Sequence, residues 1–160
     1  MVRHCTAADS PAIDAIINDA AQAYRGVIPA DRWHEPYMPR DALQAEIARG
    51  VDFWGWDSPE GLAGVMGIQN VRDVTLIRHA YVRSHLQGHG IGGELMRALI
   101  AKAERRLLVG TWAAAHWAIR FYERHGFRLV AAEEKDRLLD TYWSIPPRQR
   151  DVSVVLVRES

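Results

Sequence analysis

A glycine-rich segment at residues 85–95, HLQGHGIGGEL, is the part of this sequence best suited to bind an anion. Within six residues it holds four glycines, Gly88, Gly90, Gly92 and Gly93, between an apolar run, VTLIRHAYV, and a helix-like run, ELMRALIAKAERR. The backbone amides that begin a helix are unpaired donors at the positive end of the helix dipole. Glycines there remove the Cβ atoms that would keep phosphate oxygens away. The spacing therefore predicts a phosphate-binding turn.

Three kinds of phosphate site use glycines at such a turn, and their neighbouring residues distinguish them. The spacing G-x-G-x-x-G, starting at Gly88, fits dinucleotide-binding folds, but the acidic residue expected about 20 positions later is missing from LLVGTWAAAHW. A P-loop needs Lys and then Ser or Thr after the glycines, whereas this chain has Glu94. The third pattern is Q-x-x-G-x-G, starting at Gln87, with FYERHGF downstream. The third pattern agrees best with this sequence.

This pattern resembles motif A of the GNAT superfamily of N-acetyltransferases, and the downstream segment resembles its motif B. YVRSHLQGHGIGGELM aligns with the strand, pyrophosphate turn and helix of motif A, and AIRFYERHGFRLV aligns with motif B. The resemblance covers essentially the whole chain in its order of elements. It implies acetyl-CoA as co-substrate, with its pyrophosphate at residues 87–93. The cofactor-binding residues that it implies are Val82, Arg83, Gln87, Gly88, His89, Gly90, Ile91, Gly92 and Gly93.

The resemblance also implies direct transfer of an acetyl group to an amine, without a covalent enzyme intermediate. Such a reaction needs a base for the amine and an acid for the departing thiolate. Tyr122 aligns with the family's general-acid tyrosine, and its alternative role is that of a core aromatic residue. Many relatives keep a glutamate on the motif A strand, but residues 74–82 offer only Arg78 and His79. His79, Glu35 or a water molecule therefore remain open as the base.

The acceptor is predicted to be the amine of a small molecule or a peptide, held in an aromatic pocket. The segments AYRGVIPADRWHEPYM and RLLDTYWSIPPRQ lie where GNAT members vary to select acceptors. The aromatic residues predicted to line this pocket are Trp33, Tyr37, Tyr142 and Trp143. Ala115 stands where many relatives have an asparagine that contacts the cofactor, so another group must replace that contact.

The histidines and the one cysteine do not fit a metal site. His85 and His89 have the spacing of two zinc ligands on a helix, but they lie in the glycine turn ahead of the helix. A single cysteine, Cys5, excludes an internal disulfide framework. We therefore expect neither a metal nor a disulfide.

The charge balance limits the partners that this chain can attract. Twenty basic side chains match twenty acidic ones, and the isoelectric point is about 7.1. Because no overall field attracts polyanions, we expect no nucleic acid and no membrane surface as partner. No apolar run approaches the ~18 residues of a membrane helix, and the first residues lack the apolar region of a secretory signal. The sequence predicts a cytoplasmic protein, and monomer and homodimer both remain open.

The elements that must position these residues form an α/β (α+β) pattern in a single domain over residues 1–160. The predicted order is β-α-α-β-β-β-α-β-α-β-β, with a helix over residues 91–106 and a strand in FRLVAAE. Short turns between VDFWGW, LAGVMGIQN and VTLIRHAYV permit only antiparallel neighbours. The charged run EEKDR is predicted to form a solvent-exposed face. We expect a mixed central sheet flanked by helices.

Two functions from other classes remain as alternatives. A non-catalytic acyl-CoA-binding or sensing module of the same fold would bind the donor and transfer nothing. A nucleotide-binding oxidoreductase would be stabilised by NAD(H) rather than by coenzyme A.

Overall fold

A seven-stranded sheet forms the centre of the computed structural model, which describes residues 1–159. The strands β1 to β7 span, in chain order, Val2–His4, Asp52–Ser58, Gly61–Val71, Val74–Val82, Arg106–Trp112, Arg128–Leu129 and Ser153–Arg158. The helices α1 to α6 span Ser10–Ala20, Arg40–Ala48, Ile91–Lys102, His116–Arg124, Ala132–Tyr142 and Pro147–Asp151. The spatial order of the strands is β1-β2-β3-β4-β5-β7-β6. Strands β4 and β5 run parallel, and the other neighbours run antiparallel.

The predicted mixed sheet with flanking helices is confirmed, and so is the antiparallel meander of β2, β3 and β4. Two short turns connect these strands, which leaves no room for a crossover. The predicted helix over residues 91–106 is α3, which ends at Lys102 before β5 begins at Arg106.

The segment between β6 and β7 differs from the prediction, because it contains α5 and α6. The charged run EEKDR begins α5, where Glu133 and Glu134 occupy the first turn and favour the positive end of the helix dipole. Leu138 and Leu139 bury the other face of the helix in a cluster with strand residues. Because α5 begins at Ala132, inside the predicted strand FRLVAAE, that strand shortens to Arg128–Leu129.

The helices cover both faces of the sheet. Leu107 and Val109 of β5 pack in one cluster with residues of α3, whereas Leu108 between them packs in another with residues of α5. This alternation is the ordinary period of a strand whose two faces are both buried. A third cluster joins α1 and α2 to β2 and β3. Among residues 1–159, no helix is both long and apolar enough to cross a membrane.

Strands β4 and β5 separate halfway along their length. Their pairing runs from Val74 opposite Arg106 to Ile77 opposite Val109, and beyond this point β5 pairs with β7 alone. Here β4 also carries a β-bulge, since Arg78 faces Gly67 and Tyr81 faces Val65 across two residues of β4 and one of β3. The carboxyl ends of parallel strands that diverge are where α/β sheets bind ligands.

Candidate functional site

A cavity of about 730 Å³ lies between the carboxyl half of β4, the turn before α3, and α4. Seven of the nine residues predicted to bind the cofactor line it: Val82, Gln87, Gly88, Gly90, Ile91, Gly92 and Gly93. The other two bond elsewhere. Arg83 donates from Nε to the carbonyl oxygen of Leu62 at 2.8 Å, and Nδ1 of His89 lies 3.0 Å from the carbonyl oxygen of Leu86.

The turn presents bare backbone to this cavity. Gly88 and Gly90 have φ angles of 84° and 81°, which residues other than glycine rarely adopt. A Cβ atom at either position would meet no other atom within 4 Å. Gly90 is the N-cap of α3, and the first backbone bond of the helix runs from the amide of Glu94 to the carbonyl of Gly90 at 3.0 Å. The amides of Ile91, Gly92 and Gly93, which lie between Gly90 and Glu94, therefore lack an intrahelical acceptor. This arrangement can accept phosphate oxygens.

The charges around the turn favour an anion. Arg124 and His125 of the α4 end line the cavity, whereas its lining includes no acidic residue. Burial, together with the charges of Arg97 and Arg124, lowers the pKa of His125, so Arg124 rather than His125 carries the positive charge of this lining. Glu94 accepts a hydrogen bond from Nε1 of Trp56, outside the cavity. The carboxylate nearest to the turn in sequence is therefore held by an indole rather than aimed at the ligand.

A second, smaller cavity of about 160 Å³ lies where β5 has turned away from β4. Its lining shares four residues with the larger cavity: Tyr24, Ala80, Tyr81 and Tyr122. The two cavities thus meet at the divergence of the strands, one extending to the helix turn and the other toward β5. A long ligand in the larger cavity and a small one in the smaller cavity would therefore both lie beside these four residues.

Tyr122 lies at this junction, on α4. Its ring packs against Phe121 and Phe127, with centroids 5.3 and 5.7 Å away. Burial, with a further contribution from Tyr24, raises the pKa of Tyr122, so the phenol stays protonated at neutral pH. Its hydroxyl forms no hydrogen bond with any of residues 1–159. This leaves a free O–H donor where the cavities meet.

His79 lines the smaller cavity and contacts a carboxylate that the sequence analysis did not identify. Its Nε2 lies 2.7 Å from Oε1 of Glu46 on α2, and Nη2 of Arg78 donates to the same oxygen at 2.9 Å. Nη1 of Arg78 also donates to Oε1 of Gln69 at 3.1 Å. Burial acts against the charge of Glu46, but the hydrogen bond from His79 and the charges of Arg78 and Arg49 outweigh it and lower the pKa of Glu46. Glu46 is therefore ionised.

The aromatic residues predicted for the acceptor pocket separate into two groups. Tyr37 and Trp143 line the smaller cavity, and Trp33 stacks on Tyr37 at 5.8 Å without lining it. Tyr142 lines neither cavity, because its hydroxyl donates to Oδ1 of Asp73 at 2.7 Å on the surface. The prediction for Tyr142 therefore does not agree with its position, whereas Tyr37 and Trp143 have positions that suit it.

Glu35 and Ala115, which the sequence also raised, line neither cavity. Glu35 is exposed, and its Oε1 lies 3.9 Å from Nη1 of Arg25. Ala115 is completely buried at the N-cap of α4, in a cluster with Tyr24 and Trp112. Among residues 1–159, no group of three or more His, Cys, Asp or Glu side chains could hold a metal ion.

Tyr24 and Tyr81 are the site residues that sequence reasoning missed besides Glu46. Their hydroxyls lie 3.5 Å apart, and burial raises the pKa of both. Tyr81 belongs to the motif A strand, so its neighbourhood was a usable signal. Tyr24 follows α1 in a short 3-10 turn. Nothing in the neighbouring sequence indicates that it contacts Tyr81, which lies 57 residues later in the chain.

A family model described as the acetyltransferase (GNAT) family matches residues 13–127. The structure is similar to that of the PaiA N-acetyltransferase from Thermoplasma acidophilum in complex with coenzyme A, at 14% identity and a TM-score of 0.73. That match covers 100% of this chain and 98% of that one. The ribosomal-protein-alanine N-acetyltransferase from Brucella melitensis is 20% identical, with a TM-score of 0.69 and coverage of 100% and 99%.

The N-acetylglutamate synthase from Neisseria gonorrhoeae, complexed with coenzyme A and N-acetyl-glutamate, is a third similar structure. It is 21% identical with a TM-score of 0.67, and the match covers 99% of this chain and 34% of that one. At these identities the likeness is one of fold. No curated protein sequence is significantly similar to the chain.

Proposed function

The chain belongs to the acetyltransferase (GNAT) family, and from this premise we propose that it transfers the acetyl group of acetyl-CoA directly to a primary amine of a small molecule or peptide. Family membership supports acyl-CoA-dependent acetyl transfer as the general activity. The observation that carries the finer proposal is the meeting of two cavities at Tyr122, one of which ends on a helix N-terminus. Residues 1–160 form the single domain of this proposal.

The larger cavity suits the donor. Its volume of about 730 Å³ falls within the usual range of small-molecule sites, roughly 300–1,000 Å³. The unpaired amides at the start of α3 would hold the pyrophosphate, and Arg124 supplies a positive charge nearby. Val82 lies in the part of β4 that no longer pairs with β5, so its backbone groups on that edge could bind the pantetheine arm. With the donor bound in this order, its thioester end would lie toward Tyr122.

The smaller cavity suits the acceptor. Its aromatic walls include Tyr37 and Trp143, and its modest size favours a compact amine or the end of a peptide. His79 would take a proton from the ammonium group, so that the nitrogen has a free lone pair. The nitrogen then forms a bond to the acetyl carbon as the C–S bond breaks. Tyr122 donates its phenolic proton to the departing thiolate. The second proton, which the nitrogen loses as it becomes an amide, restores the phenol, so that coenzyme A leaves as the thiol.

A thiol-release assay tests this proposal. The protein is incubated with acetyl-CoA and a panel of primary amines, and free coenzyme A is measured together with the acetylated product. We expect amine-dependent release and a rise in melting temperature with coenzyme A but not with NAD(H). Binding of coenzyme A with no transfer to any amine would favour the non-catalytic module instead. Stabilisation by NAD(H) alone would favour the oxidoreductase.

A further inference from the structure

Two consecutive residues of β4 bind one carboxylate oxygen, which a regular strand does not permit. Successive side chains of a strand point to opposite faces, yet Arg78 and His79 both contact Oε1 of Glu46, at 2.9 and 2.7 Å. The bulge explains this arrangement, because His79 has a φ of 53°, in the left-handed region. Non-glycine residues persist there only where the surrounding structure holds them, and such residues concentrate at functional sites.

The contact fixes which ring nitrogen of His79 is free. Glu46 is ionised, so its oxygen can only accept, and Nε2 of His79 must carry the proton in this bond. The other nitrogen, Nδ1, then holds the lone pair. The side chains of His79 and Glu46 are both largely buried, with 13% of each exposed, which limits the competition of bulk water for the hydrogen bond between them.

The groups around His79 come from several elements of the fold. Phe53 of β2 stacks on the imidazole at 6.1 Å between centroids, which restricts rotation of the ring. The charged and titratable groups that face it or its carboxylate are Glu46 and Arg49 on the α2 side, Arg78 on β4, and Tyr37 beside the cavity. Arg78 offsets part of the charge of Glu46, because its guanidinium donates to the same carboxylate oxygen that His79 contacts.

We propose that Glu46 is a positioning residue for the transfer reaction: it holds Nε2–H of His79 so that Nδ1 receives the proton of the acceptor amine. This inference rests on the proposed function, in which His79 is the base. As His79 takes up the proton, the nearby carboxylate stabilises the cation that forms. Replacement of the groups that orient metal-bound histidines changes activity by about 10-fold to 100-fold, and we expect a similar effect for the group that orients a histidine base.

Four variants test the role of Glu46. Glu46→Gln keeps the size of the side chain and removes its charge, His79→Gln removes the base, and the double variant combines them. The matched control is Glu60→Gln, an exposed glutamate in the turn between β2 and β3. Melting temperature and its rise with coenzyme A show which variants are folded and bind the donor.

The expected result is a set of linked changes. Glu46→Gln should lower kcat about 10-fold with the KM for acetyl-CoA unchanged, and the acid limb of kcat/KM should move to lower pH, because the imidazolium loses its counter-charge. His79→Gln should lower kcat about 100-fold. The double variant should be no slower than His79→Gln, since both changes act on one proton transfer. Glu60→Gln should behave as the wild type.

A purely structural role predicts a different pattern and would overturn the inference. In that case Glu46→Gln would lower the melting temperature, leave the pH profile in place, and add its effect to that of His79→Gln. The ¹⁵N shifts of the neutral imidazole give a readout that needs no turnover. An Nε2–H tautomer in the wild type supports the inference, and an Nδ1–H tautomer overturns it. A wild type that acetylates no amine refutes the proposed function, and the tautomer then decides only whether Glu46 orients the imidazole of His79.

Discussion

Substitution of Tyr122 by Phe removes one hydroxyl from the point where the two cavities meet. The hydroxyl has no hydrogen-bond partner among residues 1–159, and the ring keeps its contacts with Phe121 and Phe127. Because no internal bond is lost, we expect the free energy of unfolding to change by less than about 0.5 kcal/mol. For a chain of this size, that is a shift of the melting temperature of about 2 °C or less.

The effect on turnover should be much larger. Loss of a positioned general acid lowers rates by about 10²-fold to 10⁴-fold, which corresponds to roughly 3–5 kcal/mol of activation free energy at 1.36 kcal/mol per factor of ten. Affinity for coenzyme A should be unchanged, because the amides of α3 that would hold the pyrophosphate lie at the other end of the cavity. Thiol release at saturating amine gives kcat, and calorimetric titration gives the affinity.

A second tyrosine provides the comparison. Tyr142→Phe removes a hydroxyl that donates to Asp73 at 2.7 Å on the surface, outside both cavities. We expect a loss of at most about 1 kcal/mol in stability and no change in kcat. An unchanged kcat in Tyr122→Phe would refute the role of Tyr122 as acid. An equal fall in kcat and in coenzyme A affinity would show that Tyr122 positions the donor instead.

Two further changes test the turn and a surface ion pair. Gly90→Ala and Gly26→Ala both place a Cβ at positive φ, 81° and 77°, so both should cost about 1–2 kcal/mol in stability. Only Gly90 lines the larger cavity, so equal coenzyme A affinity of the two variants would contradict the phosphate site. Asp9→Asn tests a carboxylate whose pKa is lowered to about 2 by its hydrogen bonds from Arg3 and Thr6. Its stabilisation is present above the unfolded pKa, ~3.9, and is lost as pH falls toward 2; urea unfolding should show the wild type more stable at neutral pH, and a difference persisting below pH 2 would contradict this.

The parts of the fold that were predictable have local causes. The glycine turn and α3 follow from neighbouring residues, and the meander follows from turns too short for a crossover. Helix α5 was missed because its buried stripe is carried largely by Leu138 and Leu139 within a charged segment. The pairing of β6 with β7 rather than with β5 depends on contacts between distant segments, which periodicity does not encode.

The candidate site divides in the same way. Its proposed anion-binding half is one continuous segment, and seven of the nine residues that the motif indicated there line the larger cavity. The residues proposed for acid–base chemistry come from α2, β4 and α4, and Glu46 contacts His79 from 33 residues earlier in the chain. No spacing rule relates two such residues, because their distance is set by the packing of α2 against the sheet.

One irregularity of β4 accounts for both halves meeting where they do. A regular strand would send Arg78 and His79 to opposite faces, so Glu46 could bind only one of them. The bulge places both on one carboxylate, at the position where pairing with β5 stops. Gly67 opposite the bulge allows this, since a Cβ there would lie 3.0 Å from the carbonyl oxygen of Arg78 and 2.9 Å from Cγ1 of Val51. The bulge in β4 therefore accounts both for the separation of the strands and for the orientation of His79. Gly67 on the neighbouring strand β3 is the residue in the sequence that permits this bulge.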